Sequence, residues 1–122
     1  MNAADRIEQT PACKIINLTE AEQHIYTGCG WKLAHFVDGQ LIELFDPEEV
    51  EYREDVQAMA DEALKNALLW VGEIEREGKG EAWLVMCSCY QLCEPRRITL
   101  TDAGALAKMA RVFTKQFYES AT

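Results

Sequence analysis

Cysteine is the residue type in this chain whose clustering could hold a metal ion. Cys87, Cys89 and Cys93 occupy one short segment. On a strand Cys87 and Cys89 would point the same way, so two thiolates could approach one ion, and Cys29 or a histidine could complete the ligand set. The spacing differs, however, from the paired Cys-x-x-Cys pattern of zinc sites, and free cysteine commonly packs as a small buried apolar residue. We therefore predict structural, reduced cysteines and no metal or other cofactor.

Cys29 is also a candidate nucleophile, because it lies between two glycines, where a thiolate could be exposed at a sharp turn. His24 or His35 would then serve as the base, and Asp38 would orient it. A Gly-Cys-Gly sequence is equally typical of a helix end followed by a strand. The chain contains neither a Gly-x-Gly-x-x-Gly nor a Walker-type motif. A small metal- or cysteine-dependent enzyme therefore stays an alternative, and a protein without enzymatic activity is the favoured interpretation.

The most distinctive feature is the acidic segment, residues 43–62. Nine acidic residues stand there against Arg53, a local charge of −8 in a chain whose net charge is −9. A solvated helix face that aids solubility would show the same pattern. The alternative is a negative stripe that imitates a phosphate backbone and occupies a basic groove of another protein. The predicted partner-binding residues are Glu48, Glu49, Glu51, Tyr52, Glu54, Asp55, Asp61 and Glu62.

Composition restricts the class of protein and of partner. A chain of 122 residues with 48% hydrophobic residues can form one domain whose core needs no disulfide or metal. The negative charge disfavours direct binding of nucleic acid or of an anionic membrane and favours a basic protein partner. No apolar stretch approaches the ~20 residues of a membrane span. We expect a monomer or a homodimer.

The cysteines and the N-terminus bear on the compartment. Residues 1–9 lack the apolar core of a secretory signal, which favours a reducing, cytoplasmic environment. Five cysteines are an odd number and cannot all pair within one chain. The sequence leaves open whether any of them is reactive; the candidates are Cys13, Cys29, Cys87, Cys89 and Cys93.

Local patterns predict the first elements. Residues 1–11 are polar and are expected to form a flexible N-terminal arm, with residues 12–122 as a single domain. Residues 13–18 resemble a short strand. Thr19 and Glu22 have the capping-box spacing that opens a helix, and Gly28 would end it.

A β-hairpin is predicted over residues 31–45. Two apolar-rich runs flank Asp38-Gly39, which suits a type I′ turn. Such a hairpin would be apolar on both sides. The predicted cross-strand pairs are Val37 with Gln40, His35 with Ile42 and Leu33 with Leu44.

The second half predicts a long helix, two strands and a last helix. Asp46-Pro47 is a typical helix start, and a break near Arg53 would leave a main helix from about Asp55 to Glu77, ended at Gly78. Residues 81–92 indicate a central strand, residues 93–95 a turn and residues 96–100 a further strand. Thr101 or Asp102 would start the last helix. Its expected core stripe is Leu106, Ala110, Phe113 and Phe117.

The order β-α-β-β-α-β-β-α predicts an α+β domain with a mainly antiparallel sheet of four to five strands and two or three helices packed on one face. With the acidic segment, it suggests a non-enzymatic acidic protein-binding module. Such a module would inhibit a partner by occupying its basic, nucleic-acid-binding surface, as the anti-defence proteins of phages and mobile elements do. The alternative within the same class is an immunity- or antitoxin-like protein that neutralises a basic toxin.

Overall fold

A computed structural model describes residues 2–47, 49–51, 54–102, 104, 106 and 107. The elements within these residues are a 3₁₀ helix Ala3–Arg6, β1 Glu8–Gln9, β2 Lys14–Asn17, α1 Glu20–Gln23, β3 Gly30–Val37, β4 Gln40–Phe45, α2 Val56–Glu77, β5 Glu81–Ser88, β6 Gln91–Ile98 and a 3₁₀ helix Leu100–Asp102. The six described strands form one antiparallel sheet in the order β1-β2-β6-β5-β3-β4. The α+β class is confirmed, while the described strands outnumber the predicted four to five.

The sheet is covered on both faces, because its central strands alternate apolar residues to both sides. Helix α2 packs Val71 and its neighbours against Leu33 and Leu84 on one face. On the other face, Phe36 and Val85 pack against Ala3 and the segment that carries α1. The prediction of helices on one face only was therefore wrong. Residues 108–122, which include Ala110, Phe113 and Phe117 of the predicted last helix, lie outside the described residues.

The segment predicted as an N-terminal arm lies against the sheet over residues 2–9. Ala3 is fully buried in the core, and β1 pairs with β2. Both guanidinium Nη atoms of Arg6 donate to the buried carboxylate of Glu22, each at 2.7 Å. This ion pair joins the N-terminus to α1.

The hairpin β3–β4 has the predicted turn but a different register. Val37 opposes Gln40 as expected, whereas His35 opposes Glu43 and Leu33 opposes Phe45. The difference is a β-bulge next to His35, where Ile42 is the extra residue. The bulge reverses the faces of the residues that follow it, so Phe45 joins the α2 side of the sheet.

The turn between β5 and β6 was also predicted in the wrong place. It lies at Cys89 and Tyr90, which both adopt positive φ angles of 49° and 60°, and the Tyr90 ring packs 4.9 Å from that of Tyr26. Pro95 lies inside β6. It sits at an irregularity of the β5–β6 ladder, where a missing amide donor is tolerated.

Helix α2 confirms the main helix predicted from Asp55 to Glu77. The Asp55 carboxylate accepts from the amides of Gln57 and Ala58 at 3.0 and 3.2 Å, and Gly78 ends the helix in the left-handed conformation. At the predicted start near Asp46 the described residues form a turn, in which the Asp46 carbonyl accepts from the Glu49 amide at 3.3 Å, and α2 itself begins at Val56. In the described part of the chain no helix is both long and apolar enough to cross a membrane.

Candidate functional site

The acidic segment follows β4 and continues into the first turns of α2. Of the predicted partner-binding residues, Glu48 and Tyr52 lie outside the described residues. Glu62 is half-buried. The remaining five are exposed: Glu49, Glu51, Glu54, Asp55 and Asp61. These five carboxylates are therefore accessible to a partner.

Two of the exposed carboxylates also hold local structure. Asp55 caps α2, as described above, and Asp61 accepts from the Gln57 side-chain amide at 2.8 Å. Substitution of either residue would change helix stability together with charge. Glu49, Glu51 and Glu54 are for this reason the residues at which charge can be changed with least effect on folding.

A surface cleft of ≈ 410 Å³ lies next to the acidic segment, between the end of β4 and α2. Its apolar walls are Phe45, Leu69 and Trp70, and its other walls include three carboxylates. The rings of Phe45 and Trp70 stack with centroids 5.5 Å apart and planes 9° apart. Leu69 is 59% exposed. We call this feature the aromatic cleft; its carboxylates are Asp46, Glu49 and Glu73.

The Trp70 ring is held in place by contacts behind the cleft. Its Nε1–H donates to the Glu43 carboxylate at 3.2 Å, and the His35 ring meets it edge-on, with centroids 6.0 Å apart. A ring nitrogen of His35 bonds in turn to the carbonyl of Lys79 at 2.8 Å. The cleft is thus built on fixed side chains of β3, β4 and α2.

The charge of the aromatic cleft is negative. The Asp46 carboxylate lies 3.5 Å from the ammonium of the buried Lys32. This carboxylate compensates the positive charge of the lysine. Glu73 lies 4.0 Å from Arg76, but both side chains are mostly exposed and such a pair is weak. No lysine or arginine is among the described residues that line the cleft.

The structure does not bring together the residues of the predicted cysteine nucleophile. Cys29 is exposed, and its Sγ lies 3.6 Å from the Tyr26 hydroxyl. His35 lies at the opposite end of β3, about 20 Å along an extended strand, and is bonded to the Lys79 carbonyl. Asp38 follows at the hairpin tip, farther still from Cys29. His24 is exposed at the end of α1.

The cysteines of β5 and β6 have the environment of packed thiols. Cys87 is fully buried, and that burial raises the pKa of its thiol to about 11. Burial, followed by the neighbouring Cys13, raises the pKa of Cys93 as well. Both thiols are therefore protonated near neutral pH and are poor nucleophiles. Within the described ranges no three His, Cys, Asp or Glu side chains converge to hold a metal ion.

Sequence reasoning did not identify the aromatic cleft. The predicted pairing of Leu33 with Leu44 would place Phe45 on the opposite face of the hairpin from Leu33. Leu69 and Trp70 fall beside the buried stripe of α2. One signal was available in the sequence, because an adjacent Leu-Trp pair off the buried stripe implies an apolar surface beside the acidic segment.

Comparisons with known proteins identified no relative of this chain. A scan against protein-family models, a search of the curated proteins and a search of the solved structures each found no match to this chain. The acidic segment and the aromatic cleft are therefore the features from which a function can be inferred.

Proposed function

We propose that this chain is a non-enzymatic binding module that inhibits a partner protein by occupying a basic, nucleic-acid-binding surface. The acidic segment presents its carboxylates in place of a phosphate backbone. The chain would act in a reducing cytoplasm as a monomer or homodimer, and the exposed thiols of Cys29 and Cys89 suit that compartment. A basic toxin would be recognised by the same charges.

The observation that carries this proposal is the exposure of Glu49, Glu51 and Glu54 in one short connection between β4 and α2. Carboxylates so close together create a local negative potential, which attracts a basic surface and speeds its association at low salt. The aromatic cleft adds apolar area at the edge of this charge. Interfaces commonly combine such an aromatic centre with a polar rim.

Replacing Glu48, Glu49, Glu51 and Glu54 together by Gln should abolish most of the partner binding without unfolding the chain. The test is affinity capture from a host lysate, with elution along a salt gradient and mass spectrometry of the eluted proteins. Basic, nucleic-acid-binding proteins should be retained by the wild type and elute at moderate salt, because interfaces between exposed charges are screened.

The matched control is a second quadruple variant with the same change of charge at exposed residues elsewhere: Glu8→Gln, Glu20→Gln, Glu77→Gln and Glu94→Gln. It should retain the same proteins as the wild type. Equal retention by the two quadruple variants at low salt would show that the acidic segment is not the binding surface. A basic partner without affinity for nucleic acid would favour the toxin-neutralising alternative.

A further inference from the structure

We propose that the aromatic cleft is the anchor pocket for one arginine side chain of the basic partner. The inference rests on the proposed function, since it assigns the residue type that the partner inserts. Walls of Phe45, Leu69 and Trp70, with carboxylates at the rim, match a side chain that is apolar along its stem and cationic at its end.

The cleft is large enough to admit one side chain. Its ≈ 410 Å³ lies near the lower end of pockets that hold small molecules. The rings of Phe45 and Trp70 stack on each other and both line the cleft, and the mostly exposed Leu69 extends this apolar lining to the surface. A side chain that lies along this lining would contact apolar atoms with its stem while its charged end meets the carboxylates.

The aromatic lining of the cleft favours arginine over lysine. A guanidinium group is planar and weakly hydrated, and it stacks on aromatic rings, whereas an ammonium is a compact and strongly hydrated charge. Because Glu43 and His35 fix the Trp70 ring, the stacking surface is already formed before binding. Little conformational entropy would then be lost when the guanidinium enters.

The carboxylates at the rim supply the opposite charge. Glu49 comes from the connection before α2 and Glu73 from α2 itself, so two separate elements contribute acceptors. Arginine carries five N–H donors in a fixed fork and can bond to carboxylates from more than one direction. Asp46 is already paired with Lys32 at 3.5 Å, so the negative potential of the rim comes mainly from Glu49 and Glu73. A phosphate-bearing ligand would be repelled by these two groups.

The test is an NMR titration of isotope-labelled full-length protein with three peptides that differ only at a central Arg, Lys or citrulline. The arginine peptide should shift the Trp70 indole N–H and the Leu69 methyls in a saturable manner. The lysine peptide has the same charge and should bind about fivefold more weakly, because it loses the stacking. The citrulline peptide, which keeps the shape and loses the charge, should give no saturable shift.

Two variants locate the binding. Leu69→Ser changes a mostly exposed side chain, and Glu49→Gln with Glu73→Gln removes two charges from the rim. Each variant should weaken the binding of the arginine peptide about five- to tenfold. The matched control, Glu20→Gln with Glu94→Gln, has the same change of charge at exposed residues that do not line the cleft and should stay within twofold of wild type.

The outcomes separate this inference from the proposed function. Equal affinity for the Arg and Lys peptides, shifts outside the cleft, or unchanged binding by Leu69→Ser would each overturn the arginine pocket, while capture of a basic partner through the acidic segment could still succeed. If wild-type protein captures no basic partner, the proposed function fails, whatever the peptides do. Self-association in the titrations, abolished by Leu69→Ser, would identify a second copy of the chain as the occupant and overturn the arginine pocket for a partner.

Discussion

Glu22→Gln is expected to lower the free energy of unfolding by about 3–5 kcal/mol, as removal of one partner from a buried ion pair typically does. The Glu22 carboxylate is 5% exposed and receives both Nη atoms of Arg6. It also accepts from the amides of Thr19 at 2.9 Å and Leu41 at 2.6 Å. A neutral amide cannot accept all four donors, and the Arg6 charge would be left without its counter-ion. Urea denaturation at neutral pH measures the effect.

The loss of stability caused by Glu22→Gln should depend on pH. Burial alone would raise the pKa of Glu22, but the bonds from Arg6, Thr19 and Leu41 outweigh it and lower that pKa from 4.5 to about 2. A lowered pKa in the folded state means that the carboxylate contributes stability above pH 4.5 and that this contribution is lost as pH falls toward 2. Wild type and Glu22→Gln should therefore converge in stability between pH 4.5 and 2.

Glu20→Gln is the matched control, since Glu20 is an exposed carboxylate on the same helix. It should change stability by no more than about 0.5 kcal/mol. If Glu22→Gln were as stable as Glu20→Gln, or if its deficit were the same at pH 7 and pH 3, the ion pair would not stabilise the fold as described.

Gly80→Ala is expected to destabilise the fold by about 3–5 kcal/mol, through overpacking and a disfavoured backbone conformation. Gly80 has a φ of +81°, and a Cβ there would lie 2.2 Å from the Phe36 carbonyl oxygen. It would also lie 2.7 Å from Val37 and 2.9 Å from the His35 ring. The connection from α2 to β5 therefore passes so close to β3 that only glycine fits. Thermal or urea denaturation measures the change.

Gly78→Ala separates the two causes of that loss. Gly78 has a similar φ of +66°, but nothing lies within 4 Å of its built Cβ. Alanine there should cost only about 1 kcal/mol, the penalty of the left-handed conformation alone. Equal losses for the two variants would contradict the close approach of Gly80 to Phe36.

Features encoded by adjacent residues were predictable from the sequence. The capping box of Thr19 and Glu22 forms as expected, and so do the cap of α2 at Asp55 and its end at Gly78. Each depends on side chains and backbone atoms within a few residues, so the local sequence carries the whole signal.

Features that depend on distant partners were not predictable. The bulge at Ile42 changes which face of the sheet Phe45 occupies, and no residue type or spacing in the hairpin predicts it. The turn at Cys89 and Tyr90 lacks the glycine or asparagine that positive φ angles usually require. Its Tyr90 ring packs on Tyr26, more than sixty residues away along the chain, which is a contact that only the folded chain reveals.

In the candidate site, too, one feature could be predicted from the sequence and the other could not. The acidic segment was visible as a concentration of charge, because charge depends on residue type alone. The aromatic cleft was not visible, because Phe45 and Trp70 meet only when β4 and α2 pack together. Its position beside Glu49 is what connects the two features in a single candidate surface.

The most direct test of the proposed inhibitor is competition between this chain and nucleic acid for the captured basic partner. A fluorescent nucleic-acid duplex bound to that partner should be displaced by wild-type protein and by the Glu8, Glu20, Glu77 and Glu94 control variant. The Glu48, Glu49, Glu51 and Glu54 variant should fail to displace it, since two ligands that use one basic surface exclude each other. A ternary complex of partner, duplex and wild-type chain would contradict the proposed mechanism.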